Sequence, residues 1–205
     1  MRILFALLAL AAASQAAEWS ALFDGKSLEG WRMVGPGRMV IENGLMKTEG
    51  GMGLLYYQRQ KFGNSTLRVV FKTASPNANS GVFIRLPEEP RDPWYAVHNG
   101  YEVQILEGGD EWHRTGSIYS LSRATLANQK PTGEWNTLEI QLKGQKTAVF
   151  LNGEKVNEFV GTQEVPPRKQ WYEPVRGPRP DEGYIGLQNH DQASIVYFKE
   201  VSVRK

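Results

Sequence analysis

The chain has 205 residues, no cysteine, and 24 Lys+Arg against 22 Asp+Glu, for a formal net charge of +2. The near balance, with basic residues scattered along the chain, gives no electrostatic footprint for nucleic acid, and the missing thiols exclude a disulfide framework or a lipid on a leader cysteine. Six Trp and eight Tyr are many for this length. Such rings serve a core, and their flat apolar faces also suit the C–H faces of sugars.

Residues 1–16 read as a secretory signal peptide. Met1-Arg2 is a short basic start, Ile3 to Ala13 an apolar run, and Ser14-Gln15-Ala16 places small residues where a signal peptidase reads. The apolar run is too short to span a hydrocarbon core of about 30 Å, and no later stretch is apolar enough. The expectation is a periplasmic or extracellular protein whose remainder, residues 17–205, forms one domain with a substantial core.

Beyond the leader, the convincing segments alternate at period two. Ser65 to Lys72 places Leu67, Val69 and Phe71 on one face; Ser80 to Leu86 and Tyr101 to Leu106 follow. Trp135 to Leu142, Thr147 to Leu151, the Asn152-Gly153 hairpin signal, Glu154 to Val156, Gly183 to Gln188 and Ser194 to Val203 complete the strands. Many short strands with hairpin punctuation, and no long amphipathic helix, predict an all-β antiparallel sandwich or jelly roll. Two long Pro-rich and aromatic segments, 87–100 and 162–182, interrupt it. Their Trp94, Tyr95, Trp171 and Tyr172 favour ordered walls around one face.

The chemistry concentrates in GYEVQILEGG, residues 100–109. Alternation sends Val103 and Ile105 to the core and Glu102 and Gln104 to the opposite face. Glu107 falls on the core side unless a bulge re-aims it. Glu102, Gln104 and Glu107 form an E-x-Q-x-x-E pattern similar to the E-x-D-x-x-E strand of laminarinase-type glucanases. Gln104, however, can neither share a proton nor carry charge; it offers one acceptor and two donors. The stretch therefore reads as a polyol-binding strand with one ionisable group, although a solvated strand face would alternate in the same way. His190, just past a strand and on the face of Gln188, is a candidate base. Arg85, closing SGVFIR, offers a fork of donors for a carbonyl or hydroxyl oxygen. Tyr119 in TGSIYS and Lys130 in QKPTGEWN are further polar candidates. His98 and His113 show no tight metal-ligand spacing with other histidines, so no cofactor is assigned and a divalent metal stays open.

Taken in order, LFDGKSLEGW (22–31), NSGVFIR (79–85), GYEVQILE (100–107), TGSIYS (115–120), KPTGEWN (130–136), FLNGEKV (150–156) and GYIGLQNH (183–190) resemble the 3-keto-disaccharide hydrolase family across the whole mature chain. The resemblance implies a concanavalin A-like jelly roll of two antiparallel sheets related to laminarinase-type glucanases. It also implies action on glycosides oxidised at C3, by elimination followed by hydration. On this reading Glu102 or His190 is the base and Tyr119 assists the leaving oxygen. Arg85, Gln104, Gln188, Glu107, Lys130 and Trp94 hold the oxidised sugar. Three other readings stay open: a carbohydrate-binding jelly roll without catalysis, an ordinary β-glucanase, and a protein-binding module.

Overall fold

The computed structural model describes residues 18–205; the signal-peptide reading of 1–16 lies outside them. Thirteen strands and one short helix follow in chain order: β1 (Ser20–Ala21), β2 (Trp31–Val34), β3 (Arg38–Glu42), β4 (Leu45–Glu49), β5 (Gly53–Tyr57), β6 (Ser65–Thr73), β7 (Ser80–Leu86), α1 (Pro93–Asn99), β8 (Tyr101–Ile105), β9 (Asn136–Lys143), β10 (Lys146–Leu151), β11 (Glu154–Val160), β12 (Tyr184–Asn189) and β13 (Val196–Arg204). They form two antiparallel sheets. One runs β11-β10-β9-β6-β13-β4-β3 with β1 beside β13; the other runs β2-β5-β12-β7-β8. This is the jelly-roll sandwich that the alternation predicts.

Between the sheets, alternate residues interdigitate: Leu67, Val69 and Phe71 of β6 and Leu138, Ile140 and Leu142 of β9 meet Val82, Ile84, Val103 and Leu187 of the smaller sheet. On β13 the inward residues are Val196, Phe198, Val201 and Val203. The break in their alternation falls at a bulge between Phe198 and Glu200, which restores the inward face one residue later.

The smaller sheet is buried on both faces. Its outer side carries Leu54, Tyr56, Phe83 and Leu86, and Ala96 and Val97 of α1 pack on them. Sequence reading takes 87–100 as a loop. Asp92 caps a helix there instead, its carboxylate accepting the Tyr95 N–H at 3.0 Å with Pro93 in the first turn. A two-turn helix is too short to show a period of 3.6. The β3–β4 hairpin was also not read, although Asn43-Gly44 (φ 53° and 78°) is a turn of the same kind as Asn152-Gly153.

Segment 162–182 has no regular structure, and three arginines tie it down. Arg179 donates to the carbonyls of Gly100, Gly177, His98 and Val175, and Arg176 to those of Pro166 and Pro174. The third is Arg85. It occupies a bulge where β7 has one residue more than β12, with φ 56°, and is fully buried. Its guanidinium donates to Pro180, Asp181, Gly144 and Lys146 oxygens at 2.5–3.2 Å. The assignment of Arg85 to substrate is therefore corrected. Left-handed backbone at the bulge takes its side chain off the Phe83 face, and its Nη1 and Nη2 donors hold a loop and a hairpin together.

Candidate active site

Where α1 ends its cover of the smaller sheet, a cavity of about 350 Å³ opens, within the range typical of small-molecule sites. Two larger depressions, about 410 and 490 Å³, lie elsewhere on the surface. Composition distinguishes this one: Glu102, Gln104, Gln188, His190, Tyr119 and Trp94 all line it, with Asn79, Met52, Val97 and Tyr172. Six of the nine residues assigned from sequence thus converge.

Strand register explains the convergence. Gly81 of β7 pairs with Gln104 of β8, and the Leu187–Val82 pair puts Gln188 of β12 alongside Gly81 on the other side. The missing side chain at Gly81 is filled by Glu102: a Cβ there would lie 2.3 Å from its Oε1 and 2.6 Å from its Cγ. Glu102 thereby leans across β7 until its carboxyl meets the Gln188 side chain, a strand further on. Burial pushes the carboxyl up to about 8, against a smaller opposing pull from the Gln188 hydrogen bond. Glu102 is therefore predominantly a neutral acid at pH 7. Gln104 Nε2 donates to Asn79 Oδ1 at 2.7 Å. The Oε1 atoms of Gln104 and Gln188 are buried without a partner, a cost that marks groups awaiting a donor.

His190 projects from the end of β12. The preceding Asn189 is buried and donates to the Arg38 and Glu49 carbonyls, which fixes the strand end. Asp191 Oδ2 lies 2.7 Å from His190 Nδ1 and also accepts from Ser194 Oγ, while its Oδ1 accepts the Ala193 and Ser194 N–H groups. Burial raises the Asp191 carboxyl, but these hydrogen bonds outweigh it and leave the carboxyl below its ordinary value. An ionised Asp191 holds the proton on Nδ1 and leaves Nε2 as a lone-pair acceptor. Sequence reading missed Asp191, Gly81 and Asn79. The adjacent His-Asp pair was a visible signal for the first; the other two depend on strand register.

Tyr119 is anchored by its N–H to the Glu102 carbonyl at 2.9 Å. Burial, then the nearby Glu102 and Glu173 carboxyls, push its phenol up to about 12, so it remains a donor. Across the cavity Trp94 of α1 meets Trp171 of the long loop, ring centroids 4.6 Å apart, and Trp171 packs on Tyr172. The aromatic walls expected from both loops are present.

Glu107 and Lys130 are not part of the cavity. β8 ends at Ile105, and the chain then turns so that Glu107 accepts the Thr132 hydroxyl at 2.8 Å beside a separate small depression. Lys130 is exposed, and its backbone N–H goes to Asn136 Oδ1. Both assignments are corrected on those grounds. No group of three His, Asp, Glu or Cys side chains among the described residues is arranged to hold a metal ion.

Fold and cavity together define a jelly-roll domain with an acid, a histidine–aspartate pair and amides gathered under aromatic walls. The chain belongs to the 3-keto-alpha-glucoside-1,2-lyase-like domain family, whose model matches residues 18–204. It is 27% identical to a 3-keto-disaccharide hydrolase of Bacteroides thetaiotaomicron, over 89% of this chain and 77% of that protein. Among solved structures, a protein of Parabacteroides distasonis provisionally described as a glycosyl hydrolase superposes with TM-score 0.75 at 27% identity, covering 92% of this chain and 99% of the other. A Bacillus licheniformis β-glucanase shares the fold with TM-score 0.55 at 11% identity, over 94% of this chain and 100% of the other.

Proposed function

We propose that the domain cleaves glycosides whose sugar carries a ketone at C3, by elimination across C1–C2 followed by addition of water. The observation that carries this reading is the arrangement of the cavity: one buried carboxyl, seated over Gly81, and, in the same cavity, a histidine whose Nδ1 lies 2.7 Å from an aspartate; burial favours the neutral form of the carboxyl. Direct hydrolysis with retention needs two carboxyl groups about 5–5.5 Å apart. Glu102 is the one carboxyl in the cavity lining, and Glu107 faces elsewhere, which disfavours the glucanase reading. The family and the relative's name agree with a ketone-activated route.

A C3 ketone makes the C2 hydrogen acidic. His190 Nε2 takes that proton, and negative charge develops on the C3 oxygen. Neutral Glu102 donates a hydrogen bond there, as an acid kept protonated by burial is suited to do. The C1–O bond breaks, the bonding pair leaves with the oxygen, and Tyr119 gives that oxygen its phenolic proton. Water then adds its hydroxyl at C1 and gives its other proton back to Tyr119, while His190, exposed and exchanging its proton with solvent, protonates C2. Gln104, Gln188 and Asn79 hold ring hydroxyls, and Trp94 and Tyr172 cover the ring. Export to the periplasm or beyond is part of this proposal and is supported by the signal-peptide pattern of residues 1–16.

The test is isotope exchange. With a 3-keto glycoside in D₂O, the recovered 3-keto sugar should carry deuterium at C2, and His190→Ala should lower both exchange and cleavage by about 10²–10⁴. Cleavage without deuterium at C2 would remove the proposed route.

A further inference from the structure

A second cavity, about 310 Å³, adjoins the first. The wall between them is made of neighbouring residues: Tyr119 and Tyr172 line the first, and Ser120 and Glu173 line the second. Tyr119 is approached from both sides. The His113 ring of the second cavity lies 5.5 Å from it, and the Glu102 and Glu173 carboxyls both act on its phenol.

The polar groups of this second cavity are fixed in place. Arg176 Nη2 donates to Glu173 Oε2 at 2.7 Å and to Ser120 Oγ at 3.1 Å, and both charged side chains are largely buried. His113 Nδ1 sits 2.6 Å from Asp110 Oδ1, which leaves Nε2 available. Trp112 and the Pro166-Pro167 pair add flat apolar surface. Asp110 and Glu173 balance Lys169 and Arg176, so the lining favours no net charge on its occupant. Apolar plates with a few fixed donors and acceptors and no excess charge match a neutral polyol ring.

We infer that this cavity is a leaving-group subsite that binds the neutral sugar released at C1, with Trp112 as its platform and His113 and the Arg176-held Glu173 as hydroxyl partners. The inference rests on the reading of the first cavity as the keto-sugar site. It places Tyr119, the donor to the leaving oxygen, at the junction of the two rings. The enzyme then selects disaccharides over glycosides with small leaving groups.

The experiment compares kcat/KM for a 3-keto glucose disaccharide and for methyl 3-keto-glucoside, in the full chain and in Trp112→Ala. The ratio of the two should fall on the order of tenfold or more, and Trp112→Phe, which keeps a ring, should recover part of it. Melting curves check that both variants fold. An unchanged ratio in Trp112→Ala overturns the subsite. If the wild-type chain cleaves neither sugar, the keto-sugar reading fails, and calorimetric titration with an unoxidised glucose disaccharide and with methyl glucoside decides the second cavity alone. Tighter disaccharide binding that Trp112→Ala abolishes supports it. Equal affinities, no binding, or indifference to Trp112→Ala overturn it.

Discussion

At the residue scale the account turns on the proton of Glu102. Its carboxyl is raised from 4.5 to about 8 by burial, so the folded protein holds a proton that the unfolded chain loses above its ordinary pKa. The stability tied to this group is fully present below about 4.5, falls as pH rises toward about 8, and then levels off. Urea unfolding at pH 5 and pH 8 should show a smaller pH difference in Glu102→Gln than in the wild type. Activity carries the same signature. As a hydrogen-bond donor Glu102 fails once ionised, so turnover should drop above about pH 8; a rate that climbs through that value would make Glu102 the base instead. In the proposed mechanism Asp191 acts through His190, 2.7 Å from its Nδ1. In Asp191→Asn the amide no longer fixes the Nδ1 proton, and kcat should fall by about 10²-fold or more with KM little changed. A rise in KM alone would assign Asp191 to loop structure.

At the scale of elements, the site depends on what lies between its residues. Gly81 exists as a gap that Glu102 fills. Gly81→Ala should preserve the sheet, since the nearest atoms an added Cβ would meet all belong to the Glu102 side chain, yet displace the carboxyl and lower turnover toward that of Glu102→Gln; near-normal turnover would show that Glu102 has another place to go. The long loop depends on Arg179 and its carbonyl partners. Each buried carbonyl left without a donor costs about 1–3 kcal/mol, so Arg179→Met should lower the melting temperature by several degrees, at roughly 2–4 °C per kcal/mol for a domain of this size. It should also weaken sugar binding through Trp171 and Tyr172; a variant melting like the wild type would mean other contacts hold the loop. Legibility follows the same line. Alternation exposed Glu102 and Gln104 because β8 is regular over Tyr101–Ile105. It misplaced Arg85 because a bulge with left-handed backbone reverses the face; Glu107 came from the resemblance, since alternation itself turns it away from Glu102 and Gln104.

For the whole molecule, the sandwich was readable because its core obeys a period of two over long strands, β6 and β9 above all. What could not be read was which strands adjoin. The row Gln104–Gly81–Gln188 brings Gln188 beside residues more than eighty positions earlier, and only sheet order makes them neighbours. The fold is shared with a β-glucanase at 11% identity and with a protein described as a glycosyl hydrolase at 27%. Architecture alone therefore leaves function open, and the site has to decide. Here the decision rests on one buried acid and one histidine–aspartate pair at a cavity whose lining holds no carboxyl besides Glu102. The most direct measurement offers the wild-type chain a glucose disaccharide and its 3-keto form side by side and follows the released sugar by chromatography. The account predicts release from the 3-keto form and none from the unoxidised sugar. Release from the unoxidised disaccharide at a comparable rate would contradict it.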